Sequence, residues 1–145
     1  MSTLSRRDQM AVSGAALSGA PWRAAALTGA VVGAGDLGLS LIGGHIGLAM
    51  LSGPASLGVL AFFIVAAIGS LYGSHRSRAL AWARRNPWKF ALAPALACAA
   101  VVFPVALVLG GSGFFSAVFS AFWHGIVVFG LTGAAGSVRR RPAGE

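Results

Sequence analysis

Two ionisable side chains, Asp36 and His124, lie inside otherwise apolar stretches of this 145-residue chain. An aspartate at the centre of a membrane span costs about 2.5–3.5 kcal/mol on insertion, so it needs a polar partner or water. An imidazole ring both donates and accepts hydrogen bonds and exchanges protons readily. We therefore predict a hydrogen bond or ion pair between Asp36 and His124, which acts either as a proton or cation relay or as a structural link between helices.

Serine hydroxyls extend this polar set along the same two segments. Ser116 and Ser120 precede His124 at intervals of four residues, which places the three on one drifting side of a helix. Ser40 follows Asp36 at the same interval. The pattern indicates a polar path between the first and fourth apolar spans, lined by Asp36, Ser40, Ser116, Ser120 and His124.

The basic residues fall into three clusters, at positions 6–23, 76–89 and 139–141. The apolar stretches between the clusters are 52 and 49 residues long, and each is long enough for two crossings of about 20 residues. Since Lys and Arg concentrate in cytoplasmic loops, the clusters predict that both termini are cytoplasmic. The fold class expected is all-α: a polytopic membrane protein with four transmembrane helices arranged as two hairpins.

The chain divides into three predicted segments: a flexible cytoplasmic tail (1–20), a four-helix transmembrane domain (21–137) and a basic cytoplasmic tail (138–145). Within the domain, we expect spans at about 24–50, 55–72, 88–109 and 114–133. The first span is longer than a ~30 Å hydrocarbon core requires. Gly43-Gly44 is its natural weak point.

Small residues recur on one side of the first span. The pairs Gly29/Gly33 and Gly43/Gly47 each have the small-xxx-small spacing that lets two helix backbones approach closely. Asp36 lies between the two pairs on the same side. The spacing predicts a tightly packed helix face with Asp36 in its middle.

The charged loops indicate what surrounds the protein. Lys and Arg beside a span each contribute roughly 1 kcal/mol of attraction to anionic lipid headgroups. Nucleic acid is not an expected partner, because the net charge of +8 flanks apolar spans instead of covering a soluble scaffold. The Arg-, Ala- and Gly-rich composition suggests a bacterial source and therefore the plasma (inner) membrane. The side chains expected to contact headgroups are Arg76, Arg78, Arg84, Arg85 and Lys89.

An internal repeat is a second feature of the sequence. Pro21-Trp22-Arg23 opens the first span, and Pro87-Trp88-Lys89 opens the third span 66 positions later. Gly73-Ser74 and Gly136-Ser137 are 63 positions apart at the ends of the second and fourth spans. Duplication of a two-helix unit would produce this pattern. The general preference for Pro, Trp and basic residues where a span begins would also produce it.

Motifs for enzymatic chemistry are weak in this sequence. Gly33 to Gly38 has the spacing G-x-G-x-x-G, but the acidic residue that would hold a ribose about 20 positions later is missing. With three acidic residues, acid–base catalysis is not expected, and neither is a cofactor or a metal site; Cys98 is expected to be a small buried apolar residue.

Two functional classes remain open. The first is a small transporter or pore-forming subunit that moves a proton or small solute between spans one and four. The alternative is a non-transporting structural or accessory subunit of a larger membrane complex. In either case the expected protein partner is a second copy of the chain or another membrane protein.

Overall fold

Four long helices form the computed structural model of this chain, which describes residues 20–44, 47–72, 83, 85–111 and 113–138. Each helix is long and apolar enough to cross a membrane, which supports a multi-pass membrane protein. A short 3₁₀ helix, Leu48–Leu51, precedes the second long helix. The long helices are α1 (Trp22–Ile42), α2 (Ser52–Tyr72), α3 (Pro87–Leu109) and α4 (Phe114–Val138).

The first helix is shorter than the sequence predicts. It ends at Ile42, and Gly44 has a positive φ of 74°, a conformation that glycine adopts without steric cost. Gly43 and Gly47 therefore lie beyond α1 and do not belong to its packing face. The next helix starts earlier than expected, because Ser52 to Pro54 form the first turn of α2 instead of a loop.

In the contact between α1 and α2, glycine residues bring the two helix backbones close together. A Cβ placed on Gly29 would lie 2.7 Å from the carbonyl oxygen of Gly58, and one placed on Gly33 would lie 3.0 Å from the carbonyl oxygen of Pro54. Only glycine leaves room for such an approach. Pro21 contacts α2 at Gly69, so positions rise along α1 as they fall along α2.

The contact between α3 and α4 has the same construction. A Cβ placed on Gly125 would lie 3.3 Å from the carbonyl oxygen of Ala95 and 3.4 Å from the Cβ of Ala99. At one end of these helices, Pro87 packs against Gly136. Beyond Pro87 and Phe90 in the first turn, the buried residues of α3 are small or short, namely Ala91, Ala95, Cys98, Val102 and Ala106.

Equivalent contacts in the two helix pairs define the register of an internal repeat. Adding 66 to an α1 position and 67 to an α2 position converts Gly29–Gly58 into Ala95–Gly125. The same shift converts Pro21–Gly69 into Pro87–Gly136.

Aromatic contacts follow the same register. Trp22 stacks on Phe62 with ring centroids 5.7 Å apart, and their counterparts Trp88 and Phe129 are 5.3 Å apart. Gly69-Ser70, rather than Gly73-Ser74, is thus the counterpart of Gly136-Ser137. Repeated contacts favour duplication of a helix pair over chance similarity of helix ends.

The two pairs meet through α2, which packs against α1, α3 and α4. Among the described helices, α1 packs extensively with α2 only, and α1 and α4 do not form a packed pair. The end at which α1 and α3 begin carries Arg23, Arg85 and Lys89, and we refer to it as the basic end. Because α1 packs extensively only with α2 in the described part of the chain, one side of the bundle remains open between α1 and α3.

We predict that Gly29→Ala lowers the unfolding temperature of the detergent-solubilised protein, because the new Cβ forces α1 and α2 apart. Overpacking of this kind typically costs 1–3 kcal/mol. Gly35→Ala is the matched control, since a Cβ there would meet no atom within 4 Å and alanine favours a helix. Equal unfolding temperatures for the two variants, followed by tryptophan fluorescence, would contradict the close approach.

Candidate functional site

The carboxylate of Asp36 lies beside the first turn of α2. A Cβ placed on Gly53 would be 3.4 Å from its Oδ2 atom. The 3₁₀ helix Leu48–Leu51 runs directly into this turn, so the carboxylate lies beside a continuous helical segment. At 1.5 Å per residue, Asp36 lies about 6 Å from the midpoint of α1, on the side away from the basic end.

The imidazole of His124 is held by its own helix. Its Nδ1 atom is 2.7 Å from the carbonyl oxygen of Ser120. Because a carbonyl oxygen only accepts hydrogen bonds, the Nδ1–H group is the donor in this contact. His124 lies about 3 Å from the midpoint of α4, again on the side away from the basic end. Asp36 and His124 therefore lie at similar depths, as their positions in the sequence indicate.

A single chain does not bring these two groups together. They are on α1 and α4, which do not pack against each other, and no hydrogen bond or ion pair joins them among the described residues. The predicted pair is therefore not formed within one chain. Ser116 is exposed, and Ser40 and Ser120 are partly exposed, so the polar set faces outward from the two helices.

An apolar cleft of about 830 Å³ lies on the open side of the bundle. Its floor is α2 and its walls are α1 and α3. A smaller cavity of about 150 Å³ continues toward the basic end, between Trp22, Ser70 and Phe90. Neither cavity contains Asp36 or His124. Residues lining the larger cleft include Ala26, Ala30, Ala34, Ala55, Val59 and Val101.

Basic side chains with described positions lie exposed at one end of the bundle. Arg85 and Lys89 are exposed there, beside the half-exposed indole of Trp88. Amphipathic indoles and cations are typical of the headgroup region of a bilayer. The other predicted headgroup contacts, Arg76, Arg78 and Arg84, lie outside the described residues.

The side of α4 that packs against neighbouring helices is difficult to recognise in the sequence, because the serines and the histidine beside it form the more conspicuous pattern. Its buried residues follow the polar ones by one position: Ala117, Ala121 and Gly125 come directly after Ser116, Ser120 and His124. Successive helix positions differ by about 100°, so the two sets occupy neighbouring sides. The small-xxx-small spacing of 117, 121 and 125 is the signal that would have found this side.

Thr132 is a buried polar residue that the sequence pattern does not single out. Its side chain is fully buried, and its Oγ1 atom has no hydrogen-bond partner within the described part of the chain. Its counterpart in the first helix pair is Val65, which has nearly the same shape.

No group of three His, Cys, Asp or Glu side chains in the described part of the chain could hold a metal ion.

Comparison with known proteins identifies no relative of this chain. No family model matches the chain, and no curated protein or solved structure matches it. The site must therefore be interpreted from its own chemistry.

We predict that Thr132→Val raises the unfolding temperature in detergent, because it removes an unpaired buried hydroxyl while nearly keeping the volume. A gain of about 1 kcal/mol is expected. The control is Ser137→Ala, in which a hydroxyl that donates to the carbonyl of Gly133 at 2.8 Å is lost. A drop in stability for Thr132→Val as large as that for Ser137→Ala would contradict the prediction.

Proposed function

We propose that the protein is a multi-pass protein of a bacterial plasma membrane and acts as one subunit of an assembly. Its four helices form two hairpins, and both termini are cytoplasmic. In an assembly, it forms a path for a proton or small solute lined by α1 and α4. The polar residues on this path are Asp36, Ser40, Ser116, Ser120 and His124. The basic end faces the cytoplasm and its cations bind anionic headgroups.

One observation carries the proposal: Asp36 and His124 lie at similar depths on two helices that do not pack together. A polar side chain at this depth is costly unless it meets protein or water. A path between spans one and four therefore requires α1 and α4 from different chains. The function belongs to the assembly and not to the isolated chain.

The chemistry available suits a proton relay. In its neutral form, His124 presents Nε2 as an acceptor while Nδ1 is bonded to Ser120. The carboxyl group of Asp36 exchanges a proton with such an acceptor, either directly or through one water molecule. Serine hydroxyls one turn away on each helix can order water along the path.

A non-transporting accessory subunit is the second candidate, and the apolar cleft favours it. An open groove of about 830 Å³ between α1 and α3 fits the side chains of a partner's transmembrane helix. In this function Asp36 and His124, which lie outside the cleft, act as polar links to other helices of the complex, and each link is worth about 1 kcal/mol. Filling the cleft with Ala30→Phe would then release a partner that otherwise co-purifies at fixed stoichiometry.

Proteoliposomes with an imposed pH gradient test the transport proposal. We expect the native chain to dissipate the gradient, and Asp36→Asn and His124→Ala each to slow it at least tenfold, because each removes one proton-carrying group. A trapped pH-sensitive dye measures the rate. Phe122→Ala, at an exposed position of α4 outside the path, is the control and should keep the native rate.

Gradient decay no faster than in protein-free vesicles, at two pH values and with the native unfolding temperature retained, would reject transport. It would leave the accessory subunit as the function. Loss of flux in Phe122→Ala as well would show that the assay follows general damage.

A further inference from the structure

The contact between the two helix pairs uses a different surface on each side. The first pair contributes one side of α2, whereas the second pair contributes α3 together with α4. Such an interface is heterologous: each helix pair uses one of its two faces in the contact and keeps the other face available for a further helix pair. The residues of α2 that pack against the buried cluster of α3 and α4 are Val59, Leu60, Phe63 and Ile64.

The repeat identifies both free faces. The α4 counterparts of those four α2 residues are Ile126, Val127, Gly130 and Leu131. Leu131 is 48% exposed, and a Cβ placed on Gly130 would meet no atom within 4 Å. On α1, the counterpart of Cys98 is Val32, which is 38% exposed where Cys98 is 0% exposed.

We propose that copies of this chain associate head to tail in the membrane. The α4 helix of one copy docks against α1 and α2 of the next, as α2 docks against α3 and α4 within the chain. A second copy is the expected occupant, because each chain already contains this type of junction between its own repeats. The inference names the partner that the proposed function needs, and it rests on that function only for its biological role.

The register of the repeat places the polar groups on opposite sides of this new junction. Asp36 is the counterpart of Val102, a fully buried member of the cluster between the pairs. His124 is the counterpart of Leu57, which precedes Leu60 by three residues and shares its side of α2. Docking therefore brings Asp36 of one copy to the face and depth of His124 in its neighbour.

This arrangement explains two features at once. Two polar groups occupy positions that are apolar in the junction within the chain, so docking offers Asp36 a polar partner outside its own chain. The apolar cleft between α1 and α3 remains open, because it lies on the other side of α1 from the docking face. Repetition of the same junction forms a ring if the rotation closes and a chain of copies if it does not.

Cysteine cross-linking of the full chain in native membranes tests the docking. In a Cys98→Ala background, the pair Val32→Cys with Gly130→Cys corresponds to Cys98 and Phe63, which belong to one packed cluster. A short bis-maleimide reagent should produce a ladder of dimers, trimers and larger species. Each cysteine alone should produce no covalent product, since the junction joins unlike faces.

The matched control moves one cysteine by two positions at the same depth. Ala30→Cys with Gly130→Cys should produce no ladder, because Ala30 lines the cleft and its counterpart Leu96 is 68% exposed. A dimer from Val32→Cys alone would indicate a symmetric α1–α1 contact and overturn the proposal.

A ladder with both pairs would indicate random collision and would also overturn it, as would a monomeric mass of the native chain in lipid nanodiscs. Cross-linking of the first pair alone, in vesicles that show no proton flux, would support the docking and reject transport.

Discussion

Close approach of helix backbones is the constraint on which this structure depends. Lipid tails are as apolar as the side chains of a span, so helices gain little from hiding apolar surface and must associate by fitting together. Gly29 with Gly58, and Ala95 with Gly125, provide that fit in the two helix pairs. Larger residues at these positions would hold the axes apart and weaken every contact along the pair. The positions of the polar groups follow from the way these small residues orient each helix.

Much of the fold could be predicted from the sequence, because the four apolar segments and their basic boundaries are properties of composition. The break at Gly43-Gly44 is also visible as the weak point of the first span, but the sequence predicts that the span continues to about residue 50, because Leu48–Leu51 are apolar although the chain has already turned at Gly44. The depth of Asp36 and His124 follows from counting residues, and counting placed them at similar levels. Their separation in one chain depends on which helices are neighbours, and hydrophobicity does not encode that choice.

The internal repeat is a second feature that the sequence alone identifies only in part. Its two copies share few residue types, because each helix contact needs a small residue but not the same one: Gly29 faces Gly58 in the first pair, whereas Ala95 faces Gly125 in the second. The sequence suggests Gly73-Ser74 as the partner of Gly136-Ser137, whereas the contacts select Gly69-Ser70. Pro21 on Gly69 and Pro87 on Gly136 determine the register, and neither contact has a sequence signature of its own. A shared architecture thus became visible only when the atoms that touch were known.

Each helix in this chain finds its most extensive contact with the helix that follows or precedes it in sequence. The pair α1–α2 has all the residues for its interface before α3 is synthesised. During translation, the first pair can therefore close in the membrane while the second is still being made. Loop closure between such close neighbours costs little entropy, so the late step is the meeting of two finished halves. Biogenesis of the protein then resembles the association of two small subunits that happen to share one polypeptide.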